Sequence, residues 1–266
     1  MSLPYFLTPD PLSGTLTGAE AQHAHVKRIG VGEHIMLIDG SGLTAEITVT
    51  QASKTRLDGD VVAHTRVPQP RPRLTVVQAI PKSERAELAV DLAVQAGADA
   101  IVPWISHRTI ARWPENKQAK QVEKWNNQAI ASAKQARRAW VPQVEDPVTT
   151  AQLVQQLAAS GDQPAGDQPT GDQPAGDQSA DGQTARTRAL VLHEEAQRSI
   201  KDIDFEAEST TEVWLIVGPE GGIGADELAQ LTDAGATPVR LGPEVMRTAS
   251  AAFAALCAIG ALSQRW

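Results

Sequence analysis

Three short stretches in the last third of the chain combine residue types that can handle a ligand. Gly218-Pro219-Glu220-Gly221-Gly222-Ile223-Gly224 places four glycines in seven residues, directly after the apolar run 213–217. Glycine has no Cβ, so such a turn can bend sharply and bring backbone close to a bound molecule. The helix expected next would offer its first N–H groups to an anionic or polar group. Leu241-Gly242-Pro243-Glu244-Val245-Met246-Arg247-Thr248 repeats the arrangement: a strand, a Gly-Pro turn, then a helix start with the small residues Ala249, Ala251 and Ala252. Leu192-His193-Glu194-Glu195 forms a third polar strand end. Each stretch also has a plain reading, the glycine cluster as a simple connection and His193 as a structural histidine. Arg247 is always charged, so it suits anion stabilisation and not simple base catalysis. The glycines do not form a G-x-G-x-x-G fingerprint, and no Lys-Ser/Thr of a P-loop follows them. A nucleoside-triphosphate enzyme is therefore disfavoured.

These stretches need elements to hold them. From Pro68, Pro70 and Pro72 onward, strand and helix patterns alternate. A β-branched strand is expected at 74–80, and a helix at 83–96 closed by Gly97. A strand at 101–105 and a long basic helix at 115–138 follow. Strands are then expected at 189–193, 213–217 and 238–241, with helices at 225–234 and from Ala249. Such alternation implies an α/β fold whose mostly parallel sheet is covered on both faces. Parallel sheets bind ligands beyond the carboxyl ends of their strands, where the three stretches fall. Ahead of the prolines, short alternating runs at 34–39, 44–49 and 59–65 are separated by Asp39-Gly40-Ser41-Gly42 and Asp58-Gly59. That pattern suits a small β-barrel of roughly 70 residues. The expected division is 1–70 for the barrel and 71–266 for the α/β unit. Within the latter, 161–180 repeat a GDQPA-like five-residue unit four times. The repeat has no bulky apolar side chain to offset its chain entropy, so 160–186 is expected to be a disordered surface insertion.

The net charge of −8 speaks against a nucleic-acid binder until its distribution is considered. Between Ser106 and Trp140, eight Lys or Arg face only Glu115 and Glu123. A local basic face steers a polyanion whatever the total charge; the same residues also fit a merely solvated helix face. No stretch reaches the roughly 18 apolar residues of a membrane span. The opening MSLPYFLTPD lacks the pattern of a secretory signal. The single Cys257 excludes an internal disulfide and a cysteine metal site. A reducing, cytoplasmic setting is expected.

GPEGG after an apolar strand, followed by LGPxxxRTxxAA, resembles the SPOUT-class methyltransferases, most closely the family that methylates N3 of a uridine in 16S ribosomal RNA. The likeness extends to HAHVKRIGVG (23–32), LIDG (37–40), IPKSERAE (80–87), Ser106 to Arg108, and QARRAWVP (135–142). It implies a catalytic domain with a C-terminal trefoil knot, an exception among folds, and an N-terminal PUA-like RNA-binding barrel. It also implies S-adenosylmethionine as cofactor, a homodimer, and 16S rRNA within the small ribosomal subunit as partner. Cofactor contacts carried over by motif are Leu192, Ile216, Gly218, Pro219, Leu241, Gly242, Met246 and Ala251. No metal is implied. One departure stands out. Where the family commonly reads Arg-Thr-Glu-Thr-Ala-Ala or Arg-Thr-Glu-Thr-Thr-Ala, this chain has Arg247-Thr248-Ala249-Ser250-Ala251-Ala252.

The implied reaction needs an unpaired or flipped uridine, because N3 lies on the Watson–Crick edge. Arg247 is the candidate to stabilise the uridine anion, and Glu220 to orient Arg247 or ligand donors. Lys27 and Arg28 in the barrel, with Lys82, Arg108, Arg137 and Arg138, are candidates for phosphate contact. Two other readings stand beside this one: ribose 2′-O methylation of RNA, and a non-catalytic RNA-binding or ribosome-assembly protein, which the Ala249 departure favours.

Overall fold

A computed structural model describes residues 3–111, 113–160, 186–205 and 210–266. Residues 161–185 of the expected insertion lie outside them.

The N-terminal strands are β1 (Tyr5–Leu7), β2 (Thr15–Thr17), β3 (His34–Ile38), β4 (Leu43–Ala52) and β5 (Arg56–Arg66). They form one sheet in the order β1-β3-β4-β5-β2, antiparallel except for β1 beside β3. β4 and β5 pair over most of their length, with register shifts after Glu46 and Val49. Such irregularities bend and twist a strand pair. The sheet curls around Phe6, Leu16, Ile35, Leu37, Ile47, Val49 and Leu57. Helix α1 (Gly18–Val26) adds Ala21 and Ala24 to this core.

Among the described residues the larger unit has seven strands, all parallel: β6 (Arg73–Ala79), β7 (Ala100–Ile105), β8 (Gln143–Val144), β9 (Val148–Thr149), β10 (Arg186–Leu192), β11 (Thr210–Val217) and β12 (Thr237–Val239). Their order is β12-β10-β11-β6-β7-β8, with β9 also on β7. β6 lies mid-sheet, and every residue after Arg73 in it is buried. A strand covered on both faces has no polar side to present, which explains its continuous apolar run.

The helices are α2 (Ser83–Gln95), α3 (Glu115–Gln135), α4 (Thr150–Ser160), α5 (Ala225–Asp233) and α6 (Thr248–Ala261). α2, α3 and α6 cover one face around Val76, Trp125, Leu215 and Leu256. α4 and α5 cover the other around Val77, Trp104, Ile216 and Leu231. α3 buries Trp125, Ala129, Ser132 and Ala133, spaced as one helical stripe. Its Lys117, Lys120 and Lys124 remain exposed.

The two units meet at the end of α3. Lys134 pairs with Glu20 of α1 at 2.5 Å. The Trp140 indole donates to the Val67 carbonyl at 3.0 Å, and Gly42 N–H donates to Ala139 O at 3.2 Å. Gly42 has φ +100°, and a Cβ there would lie 2.6 Å from Val67 O and 2.8 Å from the Trp140 ring. Only glycine allows this approach.

Candidate functional site

β6 and β11 are neighbours, yet their chains leave to opposite faces, β6 into α2 and β11 toward α5. The crevice this opens at the strand ends is the usual ligand position in such sheets. The Glu220 carboxylate bridges it, accepting from Lys82 N–H at 3.0 Å. Glu220 thereby ties the 218–224 turn to the start of α2.

A cleft of about 540 Å³ lies at the ends of β10, β11 and β12. Its walls include Leu192, Gly218, Pro219, Leu241, Gly242, Met246 and Ala251, together with Glu220 and Arg247. With Arg108, which lines the same cleft, ten of the sequence-derived site residues gather here. Ile216 does not join them. Its side chain points to the α4/α5 face and is fully buried there, because strand neighbours alternate faces and Val217 takes the cleft side.

Two contacts fix the loops. The Thr248 hydroxyl donates to Gly218 O at 2.5 Å and accepts from Gln78 Nε2 at 3.1 Å. One side chain therefore joins the β11 turn, the β12 loop and the central strand β6. At Gly218, a Cβ would fall 2.8 Å from Ile223 Cγ1, so the turn closes on itself only with glycine. Arg247 precedes α6 at its N-cap with an exposed side chain. Ala249 is 2% exposed and is not part of the cleft wall. The family's Glu position therefore faces inward in this chain.

The loop after β7 forms another edge. Arg108 lines the cleft and donates to Gly221 O at 3.2 Å. It is held through His107, whose N–H donates to Glu227 Oε1 at 2.9 Å; the Thr150 hydroxyl donates to the same oxygen at 2.6 Å. Glu227 is buried on α5. Lys82 is exposed beside Glu220, and Lys27, Arg28 and Arg137 are exposed near or on the barrel side.

Arg138 is a correction to the phosphate-contact set. It donates to Val94 O, Ala98 O and Asp99 Oδ1, and its side chain is 14% exposed. Arg265 joins the same Asp99 carboxylate at 2.8 Å. Burial pulls the Arg138 pKa down against the pull of Asp99. Its guanidinium ties α3 to the turn before β7, a structural task that occupies its donors.

Sequence reasoning missed Arg85, Gln78 and Thr248 as site-building residues. Arg85 stands in IPKSERAE and Thr248 in the Arg-Thr motif, so both had a signal. Gln78, inside an apolar strand, had only its polarity.

Residues 68–260 match the RNA methyltransferase domain family, and residues 16–62 match the RNA methyltransferase PUA domain family. Among curated relatives, the ribosomal RNA small subunit methyltransferase E of Mycobacterium tuberculosis is 42% identical over 250 residues, covering 94% of this chain and 86% of that protein. Its Bacillus subtilis namesake is 25% identical over 252 residues, covering 92% and 88%. The Neisseria gonorrhoeae ribosomal RNA small subunit methyltransferase E bound to S-adenosyl methionine aligns with a TM-score of 0.79 at 25% identity, covering 98% of each chain. A putative Legionella pneumophila methyltransferase in complex with S-adenosylmethionine shares the fold at a TM-score of 0.78 and 24% identity. A loop-built cleft at the strand ends, a curled N-terminal sheet and this likeness along nearly the whole length agree: the chain belongs to the ribosomal RNA small subunit methyltransferase E family of RNA methyltransferases.

Proposed function

We propose that this chain transfers a methyl group from S-adenosylmethionine to N3 of a uridine in small-subunit ribosomal RNA. The carrying observation is the cleft at the ends of β10, β11 and β12, pinned by Thr248 and rimmed by Arg247. It occurs in a chain 42% identical to a relative named for small-subunit rRNA methylation.

The cleft suits the cofactor on its own terms. Its volume of about 540 Å³ falls within the range of small-molecule sites. Apolar walls from Leu192, Leu241 and Ala251 suit an adenine face. The glycine turns leave backbone polar groups approachable. Leu192, Gly218, Pro219, Leu241, Gly242, Met246 and Ala251 would hold the cofactor, and Ile216 would contribute through its strand position alone. The bound group supplies an electrophilic methyl on a sulfonium centre.

The remaining work belongs to this chain. The uridine must present an unpaired Watson–Crick edge, lose its N3 proton and align for in-line attack. Arg247, at the positive end of α6, stabilises the developing charge on the base oxygens. Glu220 holds the turn against α2 and so keeps Arg247 and the base in register. Lys27, Arg28, Lys82, Arg108 and Arg137 meet phosphates. α3 spans about 30 Å, from the crevice to the barrel, and its exposed lysines mark the RNA path between them. The division into an RNA-binding unit at 1–70 and a catalytic unit at 71–266 follows this path.

The same reading includes a trefoil knot and a homodimer. The knot is supported by the course of the 193–200 loop, which lies against the chain leaving β12: Arg240 N–H donates to Arg198 O, and Ile200 N–H to Arg240 O. The dimer is supported by exposed Val245, Met246 and Phe253 beside the cleft, apolar surface that a second copy would cover. The setting is the compartment that holds ribosomes.

The test is transfer of labelled methyl to small subunits lacking the modification, followed by nucleoside analysis. Label in 3-methyluridine is the expected result. Label in a 2′-O-methyl nucleoside would reassign the atom. Cofactor and RNA binding without transfer would favour an assembly protein, the reading to which the Ala249 replacement lends weight. The burial of Ala249 away from the cleft wall supports retained catalysis instead.

A further inference from the structure

A second, larger cleft of about 800 Å³ opens between α2 on one side and Ile110, Ala111, Trp113 and α3 on the other. Arg85 and Glu220 line both clefts, so the two adjoin. Its walls combine two tryptophans with cations. Trp113 is partly exposed, and its ring is held edge-to-face on the buried Trp125 at 5.1 Å and 82°. Ile110, 62% exposed, extends this apolar wall. Lys82, Arg85 and Lys124 supply positive charge.

The cations are available. Lys124 pairs with Glu87 at 2.6 Å, but the side chains are 63% and 50% exposed, and such surface pairs contribute little. A phosphate can replace Glu87 at small cost. Glu220 is engaged by Lys82 N–H. The Arg85 side chain has no hydrogen bond or ion pair to another described residue. An aromatic ring fixed in orientation beside exposed or weakly paired cations is the recurring chemistry of single-stranded nucleic-acid sites. A cleft of this size also admits a whole nucleotide.

We propose that this cleft receives a nucleotide of single-stranded RNA, its base against Trp113 and its phosphates against Arg85 and Lys124. It is held there beside the cofactor cleft. The assignment rests on the RNA-methylating function above and gives that function its substrate subsite.

The experiment combines steady-state kinetics with photo-crosslinking. Trp113→Leu keeps apolar packing against Trp125 but removes the stacking face, and Arg85→Gln removes the shared cation. Each is expected to raise KM for small subunits about tenfold, and in Trp113→Leu, whose side chain lines only the larger cleft, the S-adenosylmethionine Kd stays within about twofold of the parent. A short 4-thiouridine-substituted single-stranded RNA, irradiated on the wild-type protein, should label the tryptic peptide that begins at Trp113. Unchanged KM in Arg85→Gln, or adducts confined to peptides outside 82–125, would overturn the proposal. If Trp113→Leu fails to fold, Arg85→Gln and the crosslink still decide it. A wild-type protein that methylates no RNA would sink the enzymatic reading, while the crosslink would continue to test the cleft.

Discussion

Thr248 joins three parts of the site through one hydroxyl, and Thr248→Val isolates that role because valine keeps the shape. The substitution removes the bond to Gly218 O and the one from Gln78 Nε2. At a net ~0.5–1.5 kcal/mol per hydrogen bond, the loss is about 1–3 kcal/mol. Gln78 keeps its second donor bond, to Ala79 O at 3.0 Å, so no buried amide is fully stranded. If the whole loss falls on the loop arrangement that accepts the cofactor, Kd for S-adenosylmethionine rises about 5- to 150-fold. Titration calorimetry measures Kd, and a urea melt shows whether the fold persists. Thr248→Ser retains the hydroxyl and should stay within about threefold of wild type. A folded Thr248→Val protein with Kd within about twofold of wild type would refute the reasoning, showing that the loops are held by packing alone.

Other expectations concern charge. Asp99→Ala leaves Arg138 and Arg265 without their shared carboxylate, at side-chain exposures of 14% and 5%. Unpairing buried charges costs about 3–5 kcal/mol, a large share of a typical stability of about 5–15 kcal/mol, and the urea midpoint should fall accordingly. Arg247→Ala should lower kcat by at least about a hundredfold while leaving the melting temperature and cofactor Kd near wild type; near-normal turnover would remove Arg247 from catalysis. Burial, reinforced by Lys134, pushes the His23 pKa below 6.5. Between that lowered value and 6.5 the unfolded chain binds a proton that the folded chain refuses, so stability falls as pH drops through this window. His23→Gln should flatten that part of the pH profile in urea melts, and an unchanged slope would assign it to other groups.

The alternating pattern after Pro72 was legible because each element answers to a local rule. Parallel strands covered on both faces read as apolar runs, and α2, α5 and α6 follow glycine or proline punctuation. β12 is shorter than expected, since its pairing with β10 ends at Val239. β8, β9 and α4 escaped notice. Two-residue strands carry no period, and the Leu153 and Leu157 stripe of α4 lies next to the polar repeat. α1 carries almost no amphipathic signal, because only Ala21 and Ala24 are buried. The glycine loops announced the cofactor cleft through composition. The fate of Arg138 depended on Asp99, which lies 39 residues away, and a surface arginine and a buried one are spelled alike. The α2/α3 cleft was hidden for the same reason: Arg85 and Trp113 become neighbours only through helix packing.

The sheet order also bears on how the protein comes to be folded. β6 is made early, yet one of its two partners is β11; Arg73 meets Glu212 across 139 residues of chain. α6, which covers the same face as α2, emerges later still. During synthesis the N-terminal sheet can close from contacts within residues 5–66. The central strand and α2 must meanwhile wait with apolar surface uncovered. Non-local pairing of this kind slows folding and prolongs exposure to aggregation. The cleft, built from the ends of β10, β11 and β12, is therefore assembled last.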